Sequence, residues 1–154
     1  MKTLLVTGGR GFIGSHFVEE ALERGYKVVD IDVMTYAASG KLPWDDHKNY
    51  THVREDISEV EHLPNCDVLV NFAAESHVDN SIKSSGVFLK SNVLGVHNLL
   101  ELVRGKAKHD RPLFFQISTD EVYGDLMEGL FAEDDKLSPS NPYSATKASA
   151  EFLV

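Results

Sequence analysis

Cys66 is the only cysteine in the chain, so no disulfide can form within it, and a reducing compartment, the cytoplasm, is the expected setting. Bases are scarce too. Fifteen Lys and Arg stand against 24 Asp and Glu, a formal net charge of −9. That balance excludes general binding to nucleic acid or to an anionic membrane, because both need a positive surface. Any phosphate must be held locally, by backbone amides and a few placed side chains. No apolar run approaches the roughly 20 residues of a membrane span, and the strand-like opening Lys2-Thr3-Leu4-Leu5-Val6 does not read as a signal peptide. The seven histidines (16, 47, 52, 62, 77, 97 and 109) show no metal-ligand spacing and have no cysteine set to join, so no metal is expected. Repeats, low-complexity tracts and internal linkers are also missing.

What is present is a chain of 154 residues, 42% apolar and 25% charged, enough for one ordinary domain with a real core. Thr3 to Thr7 reads as a first strand and runs straight into Gly8-Gly9-Arg10-Gly11-Phe12-Ile13-Gly14. Glycines 8, 11 and 14 have a spacing related to the dinucleotide fingerprint. Their tasks are a tight turn, close backbone approach to a pyrophosphate, and close packing of helix on strand. The following helix carries Ile13, Phe17 and Ala21 on one stripe, widened by Val18 and Leu22, and ends at Gly25. Its free N–H groups and positive dipole end suit a pyrophosphate.

Lys27 to Asp32 reads as a second strand ending in an acid. Asp32 lies 18 residues beyond Gly14, close to the ~20 expected for the carboxylate that bonds the adenosine ribose, and it favours NAD over NADP. Residues 35–49 form a polar connection. Tyr50 to Arg54 is a third, more exposed strand, and Asp56 beyond it is either an adenine partner or a solvated acid. Asp67 to Phe72 is a continuous apolar strand, as burial on both faces requires. It opens into Ala73-Ala74-Glu75-Ser76-His77, where small residues either admit a flat ring or merely pack a helix on the sheet. His77 reads as structural. From Ser84 to Lys106 a helical pattern places Leu89, Val93, Val96, Leu100 and Val103 on one seam, with Phe88, Leu99 and Leu102 beside it. The extra apolar width suggests a second packing partner, and a homodimer through this helix is the expectation.

Leu113 to Ile117 is a further apolar run, too short for a helix, and reads as a buried strand. In an open parallel sheet, ligands sit beyond the carboxyl ends of the strands. Ser118, Thr119, Asp120 and Glu121 are therefore delivered into that crevice. Residues 125–141 are a connection rich in acids and turn formers. Pro142 stands at a helix start, and in that helix Tyr143 and Lys147 share a face. Taken alone, an acid pair in a loop and a Tyr-x-x-x-Lys spacing are both common by chance. The fold class read from the whole is α/β, a Rossmann-type doubly wound parallel sheet with helices on both faces.

The segments T-G-G-R-G-F-I-G (7–14), F-A-A-E-S-H-V-D-N-S-I (72–82), I-S-T-D-E-V-Y-G (117–124) and Y-S-A-T-K (143–147), together with Asp32, resemble the extended short-chain dehydrogenase/reductase family. Within it, the similarity is greatest to the NAD-dependent nucleotide-sugar 4,6-dehydratases of the dTDP-glucose type. The adjacent acids Asp120 and Glu121 distinguish that branch from the 4-epimerases. Asn80 departs from the Arg of the dTDP-glucose branch, which leaves the nucleotide open. The resemblance implies Thr119, Asp120, Glu121, Tyr143 and Lys147 as catalytic groups, with Tyr143 a base whose phenol pKa is lowered by Lys147. It implies an NAD site lined by Gly8, Gly11, Phe12, Ile13, Gly14, Asp32, Thr35, Asp56, Ile57, Ala73, Ala74, Ser91, Tyr143 and Lys147. It places Ser76 and Thr119 against a nucleotide-diphospho-sugar. Members of the family are longer, so the expectation is one NAD-binding domain over residues 1–154 without the substrate-binding part. A 4-epimerase and a non-catalytic NAD-binding module are the alternatives.

Overall fold

Five strands lie in one sheet: Thr3–Thr7 (β1), Lys27–Ile31 (β2), Tyr50–Val53 (β3), Val68–Asn71 (β4) and Leu113–Gln116 (β5). All neighbours are parallel and the order is β3-β2-β1-β4-β5. The computed structural model describes all 154 residues. Strand order reverses between β1 and β4, so the crevice beyond their carboxyl ends is the switch point where ligands of such sheets bind.

Both faces of the central strands are covered, which is why they are apolar without alternation. Leu5, Val29, Ile31 and Leu69 pack on one face with Ile57, Val60, Leu63 and Leu99. Leu4, Val6 and Val28 pack on the other with Val18, Ala21, Leu22 and Trp44. Each fully buried side chain of this size contributes roughly 1.5–3 kcal/mol, so these two layers dominate the fold's stability. The helix Phe12–Glu23 (α1) supplies Val18, Ala21 and Leu22 to its layer. Ile13, expected on that stripe, is instead 64% exposed. It lies in the first turn, where Gly14 and Ser15 face the sheet in its place. Gly25 follows with a φ of +81°, the left-handed stop expected of it.

After the short helix Val78–Lys83 (α2), a continuous helical passage covers one face. It comprises Gly86–Phe88 (α3), a π-helical stretch Leu89–Gly95, and Val96–Gly105 (α4). The π stretch shifts the seam. Phe88, Asn92, Gly95, Val96 and Leu99 turn inward, while Leu89 is 51% exposed. A Cβ on Gly95 would sit 2.6 Å from Ile57 Cδ1, so the helix lies this close at a glycine and a larger residue would push the Ile57 side chain aside.

The run at β5 is not the fully buried strand expected. β5 pairs only with β4, and Leu113 and Phe115 are 64% and 54% exposed because no element of the chain covers that face. A single 3₁₀ turn, Asp120–Tyr123, follows it. The last helix, Pro142–Leu153 (α5), starts with a reciprocal capping box. Ser144 N donates to Asn141 Oδ1 (2.9 Å) and Asn141 N donates to Ser144 Oγ (3.2 Å).

Candidate active site

A cleft of about 310 Å³ opens at the switch point, and nine of the residues expected around a cofactor line it: Gly8, Gly11, Asp32, Thr35, Asp56, Ile57, Ala73, Ala74 and Ser91. Gly8 has a φ of +70°, and a Cβ there would stand 2.7 Å from the Ala73 backbone, so the glycine is needed for both reasons. At the start of α1, Gly11 provides no side-chain cap, and the N–H groups of Phe12, Ile13 and Gly14 have no acceptor. These three amides and the helix dipole make an anion seat without any lysine. The Phe12 and Ile13 side chains themselves point away, 80% and 64% exposed, so their part is backbone. This cradle and the acid beside it fit a dinucleotide.

Asp32, 8% exposed, has one carboxylate oxygen on Arg10 N (3.0 Å) and the other on Met34 N (2.7 Å). Met34 adopts a φ of 63°, bending the chain back onto that carboxylate. Asp56 lines the cleft with its carboxylate already engaged by Lys90 Nζ (3.0 Å) and by Ser58 N and Oγ (2.9 and 2.8 Å). Burial alone would raise its pKa, but those bonds outweigh it and hold it below the ordinary range.

The catalytic candidates converge from β5, the 3₁₀ turn and α5. Thr119 caps the turn, accepting from Glu121 N at 3.3 Å. Glu121 Oε2 accepts from Asn141 Nδ2 at 3.2 Å, which ties the acid to the cap of the helix carrying Tyr143. The Tyr143 phenol lies close enough to Thr119, Glu121 and Asp120 for all three to act on its titration. Burial, aided by those two acids, raises the phenol's pKa, and Thr119 opposes the shift. Lys147 makes no hydrogen bond to the phenol. Its ammonium donates to the Ile117 carbonyl at 2.6 Å. Burial lowers the lysine's pKa to about 8, with Glu151 opposing the drop. Ser76 is exposed between the cleft wall and α2, and His77 caps α2 and stacks on Tyr36 at 6.1 Å.

Four residues that pattern reading passes over hold the site together. Asn92, 1% exposed, accepts from Glu75 N (2.8 Å) and donates to Glu75 O and Thr146 Oγ1 (both 2.9 Å). Ser81 Oγ accepts from Tyr143 N at 3.1 Å, positioning the phenol's backbone. Asn71 bonds Thr7 on one side and Gln116 (2.9 Å) on the other, and Gln116 Nε2 donates to Ile117 O at 3.1 Å. A polar row therefore crosses the carboxyl edge of the sheet from the glycine loop to Lys147. Only the presence of amides in otherwise apolar strands hints at it.

A family model described as GDP-mannose 4,6 dehydratase matches residues 5–154. The chain belongs to that family. Among relatives, it is 49% identical to the low-salt glycan biosynthesis protein Agl12 of Haloferax volcanii, over 98% of this chain and 50% of that one. It is 44% identical to the dTDP-glucose 4,6-dehydratase of Xanthomonas campestris, over 100% of this chain and 48% of that one. The chain spans about half the length of the relatives it matches. Among solved structures, the dTDP-glucose 4,6-dehydratase DesIV of Streptomyces venezuelae, with NAD bound, superposes with a TM-score of 0.88 at 38% identity, over 98% of this chain and 50% of that one. A UDP-N-acetylglucosamine 4-epimerase from Methanobrevibacter ruminantium superposes with a TM-score of 0.87 at 28% identity, over 98% of this chain and 48% of that one. As a member of this family the chain has the parallel-sheet fold of NAD-binding dehydratases and epimerases.

Proposed function

We propose that this chain is the cofactor half, with the catalytic groups, of an NAD-dependent nucleotide-sugar 4,6-dehydratase acting on a nucleotide-diphospho-glucose of the dTDP-glucose type. The product is the 4-keto-6-deoxy sugar. What supports the reading is that Glu121, in the turn carrying Thr119 and Asp120, bonds the Asn141 cap of the Tyr143 helix and that both acids act on the phenol, in a chain that also has a glycine-walled cleft with Asp32 in its lining.

When bound, NAD supplies the hydride acceptor and later the donor of an internal redox cycle. The chain's own groups handle the protons. Tyr143 takes the proton of the sugar C4 hydroxyl, and Thr119, whose hydroxyl acts on the phenol, holds the C4 oxygen. With a carbonyl at C4 the C5 proton becomes acidic, and Glu121 removes it. Asp120 gives a proton to the C6 hydroxyl, which leaves as water. One carboxyl acts as base and the other as acid, a division that neighbouring carboxyls support when their environments differ. Glu121 is tied to Asn141 while Asp120 bonds Thr119 at 3.3 Å, so the two environments do differ.

A 4-epimerase is the second reading, favoured by the likeness to solved 4-epimerases. It needs Tyr143 and Lys147 but has no use for an acid pair. Incubating the protein with dTDP-glucose and with UDP-glucose, in the presence of NAD, tests both readings. A 4-keto-6-deoxy product supports the dehydratase, a 4-epimer supports the alternative, and the preferred substrate identifies the base. The free Cys66 favours a cytoplasmic location.

A further inference from the structure

At the end of the second strand of such sheets, an acid selects NAD, whereas an arginine nearby accepts the 2′-phosphate of NADP. This chain has both residues at that place. Asp32 ends the strand, and Arg10 stands in the glycine loop one backbone amide from it, with Arg10 N on the Asp32 carboxylate at 3.0 Å. Its side chain could reach the adenosine ribose, yet it is turned the other way. Arg10 is 4% exposed and the five N–H bonds of its guanidinium are all taken. Nε donates to Ser39 O (3.1 Å), one terminal nitrogen to Asp45 Oδ1 (2.7 Å) and Tyr50 (3.3 Å), and the other to Gly40 O (3.0 Å) and Asp45 Oδ2 (3.2 Å). The Trp44 ring lies 5.8 Å from it.

We infer that Asp45 is a second determinant of cofactor choice, holding Arg10 in a two-pronged ion pair that withholds this cation from a ribose 2′-phosphate. The arrangement is built rather than incidental. Both Asp45 oxygens are used, and Oδ2 also accepts from Leu42 N at 2.9 Å, closing the segment around the arginine. Arg10 O accepts from Ser39 N at 2.8 Å, so the same knot sets the stretch through Ala37 and Ala38 that walls the cleft. An open surface hollow lined by Arg10, Met34, Gly40, Asp45, Tyr50 and His52 borders the knot. Neither Arg10 nor Asp45 lines the cofactor cleft while the pair is intact, so the arginine must leave Asp45 before it can meet a 2′-phosphate.

This inference rests on the reading that the cleft holds a dinucleotide. The test is calorimetric binding of NAD and NADP to the protein and to Asp32→Asn, Asp45→Asn, the double variant, and the triple variant with Arg10→Met. Asp45→Asn is isosteric and keeps an acceptor for Arg10 and Leu42. Asp45→Ser serves if it misfolds, and thermal melting confirms that each variant is folded. Asp32→Asn alone should weaken the preference for NAD. Adding Asp45→Asn should tighten NADP on the order of a further tenfold, the scale of one charge-assisted contact. The gain should shrink as salt rises and vanish in the triple variant. A double variant no better for NADP than Asp32→Asn, in folded protein that still binds NAD, overturns the role of Asp45. A gain that survives Arg10→Met overturns the role of the arginine. A wild-type protein that binds neither cofactor removes the underlying reading and the inference with it.

Discussion

The Lys147 ammonium donates to the Ile117 carbonyl at 2.6 Å, binding the helix of the phenol to the strand end that delivers Thr119 and the acid pair. The same carbonyl also accepts from Gln116 Nε2 at 3.1 Å, so it does not depend on the lysine for satisfaction. Lys147 is 5% exposed, and burial brings its pKa to about 8. An unfolded lysine titrates near 10.4, so between about 8 and 10.4 the unfolded state holds more protons and stability rises with pH. Below about 8 the full cost of burying the charge applies, about 3 kcal/mol. Lys147→Met should therefore raise stability at pH 7 by about 1–3 kcal/mol while abolishing turnover. Urea unfolding at pH 7 and at pH 10 checks the sign, since the advantage must fade at the higher pH.

Gly8 and Gly25 separate two uses of a left-handed residue. Gly25, with a φ of +81°, has nothing within 4 Å of where a Cβ would stand, so Gly25→Ala should cost only the backbone strain, about 1 kcal/mol. Gly8, with a φ of +70°, would also drive that carbon into the Ala73 backbone at 2.7 Å. Gly8→Ala should cost about 3 kcal/mol or more, by addition of strain and overpacking. It should also abolish NAD binding, because relief requires moving the cleft wall. Chemical unfolding and calorimetry on the two variants give the contrast directly.

The proposed proton-handling roles predict different steps for different variants. Tyr143→Phe should suppress the first redox step itself, by roughly 10²–10⁴-fold, the usual worth of a positioned base. Asp120→Asn should block water loss yet leave slow NAD⁺ reduction, seen as absorbance at 340 nm on adding substrate. Equal loss of both steps in Asp120→Asn would mean that the two carboxyls are not divided as acid and base.

Much of the fold is legible from residue order. Each strand begins and ends within about a residue of its apolar run, because strand ends and the first polar residues coincide at the carboxyl edge of a parallel sheet. Of the cleft residues, Gly8, Gly11 and Asp32 follow from spacing, whereas Thr35, Asp56, Ile57, Ala73, Ala74 and Ser91 come from the family resemblance. The Arg10 knot does not follow from either, since Arg10 and Asp45 are 35 positions apart and each reads locally as an ordinary loop charge. Nor does the inward face of the long helical passage, because π-turns between Leu89 and Gly95 break the 3.6-residue period that places Leu89 on the seam. The partner of Lys147 is hidden for another reason. Sharing a helix face with Tyr143 does not decide which neighbouring acceptor is nearer.

The outer face of that helical passage carries the last prediction. The expected homodimer rests on an apolar width along residues 84–106, but the exposed side is apolar only in its first half. Val87, Leu89 and Leu94 are 54%, 51% and 58% exposed, whereas the later turns expose His97 and the Glu101–Arg104 ion pair. Val87 lines the cofactor cleft and charged residues are depleted from interface centres, so a contact between two copies should centre on Leu94 and leave Arg104 at its rim. Leu94→Arg should then convert a dimer to a monomer without a loss of thermal stability in the monomer itself, since the side chain packs on nothing in its own core. Glu101→Ala should leave assembly nearly unchanged, as an exposed pair contributes about 0–1 kcal/mol. Light scattering behind size exclusion reads both variants, and a wild-type monomer at high concentration would remove the interface altogether.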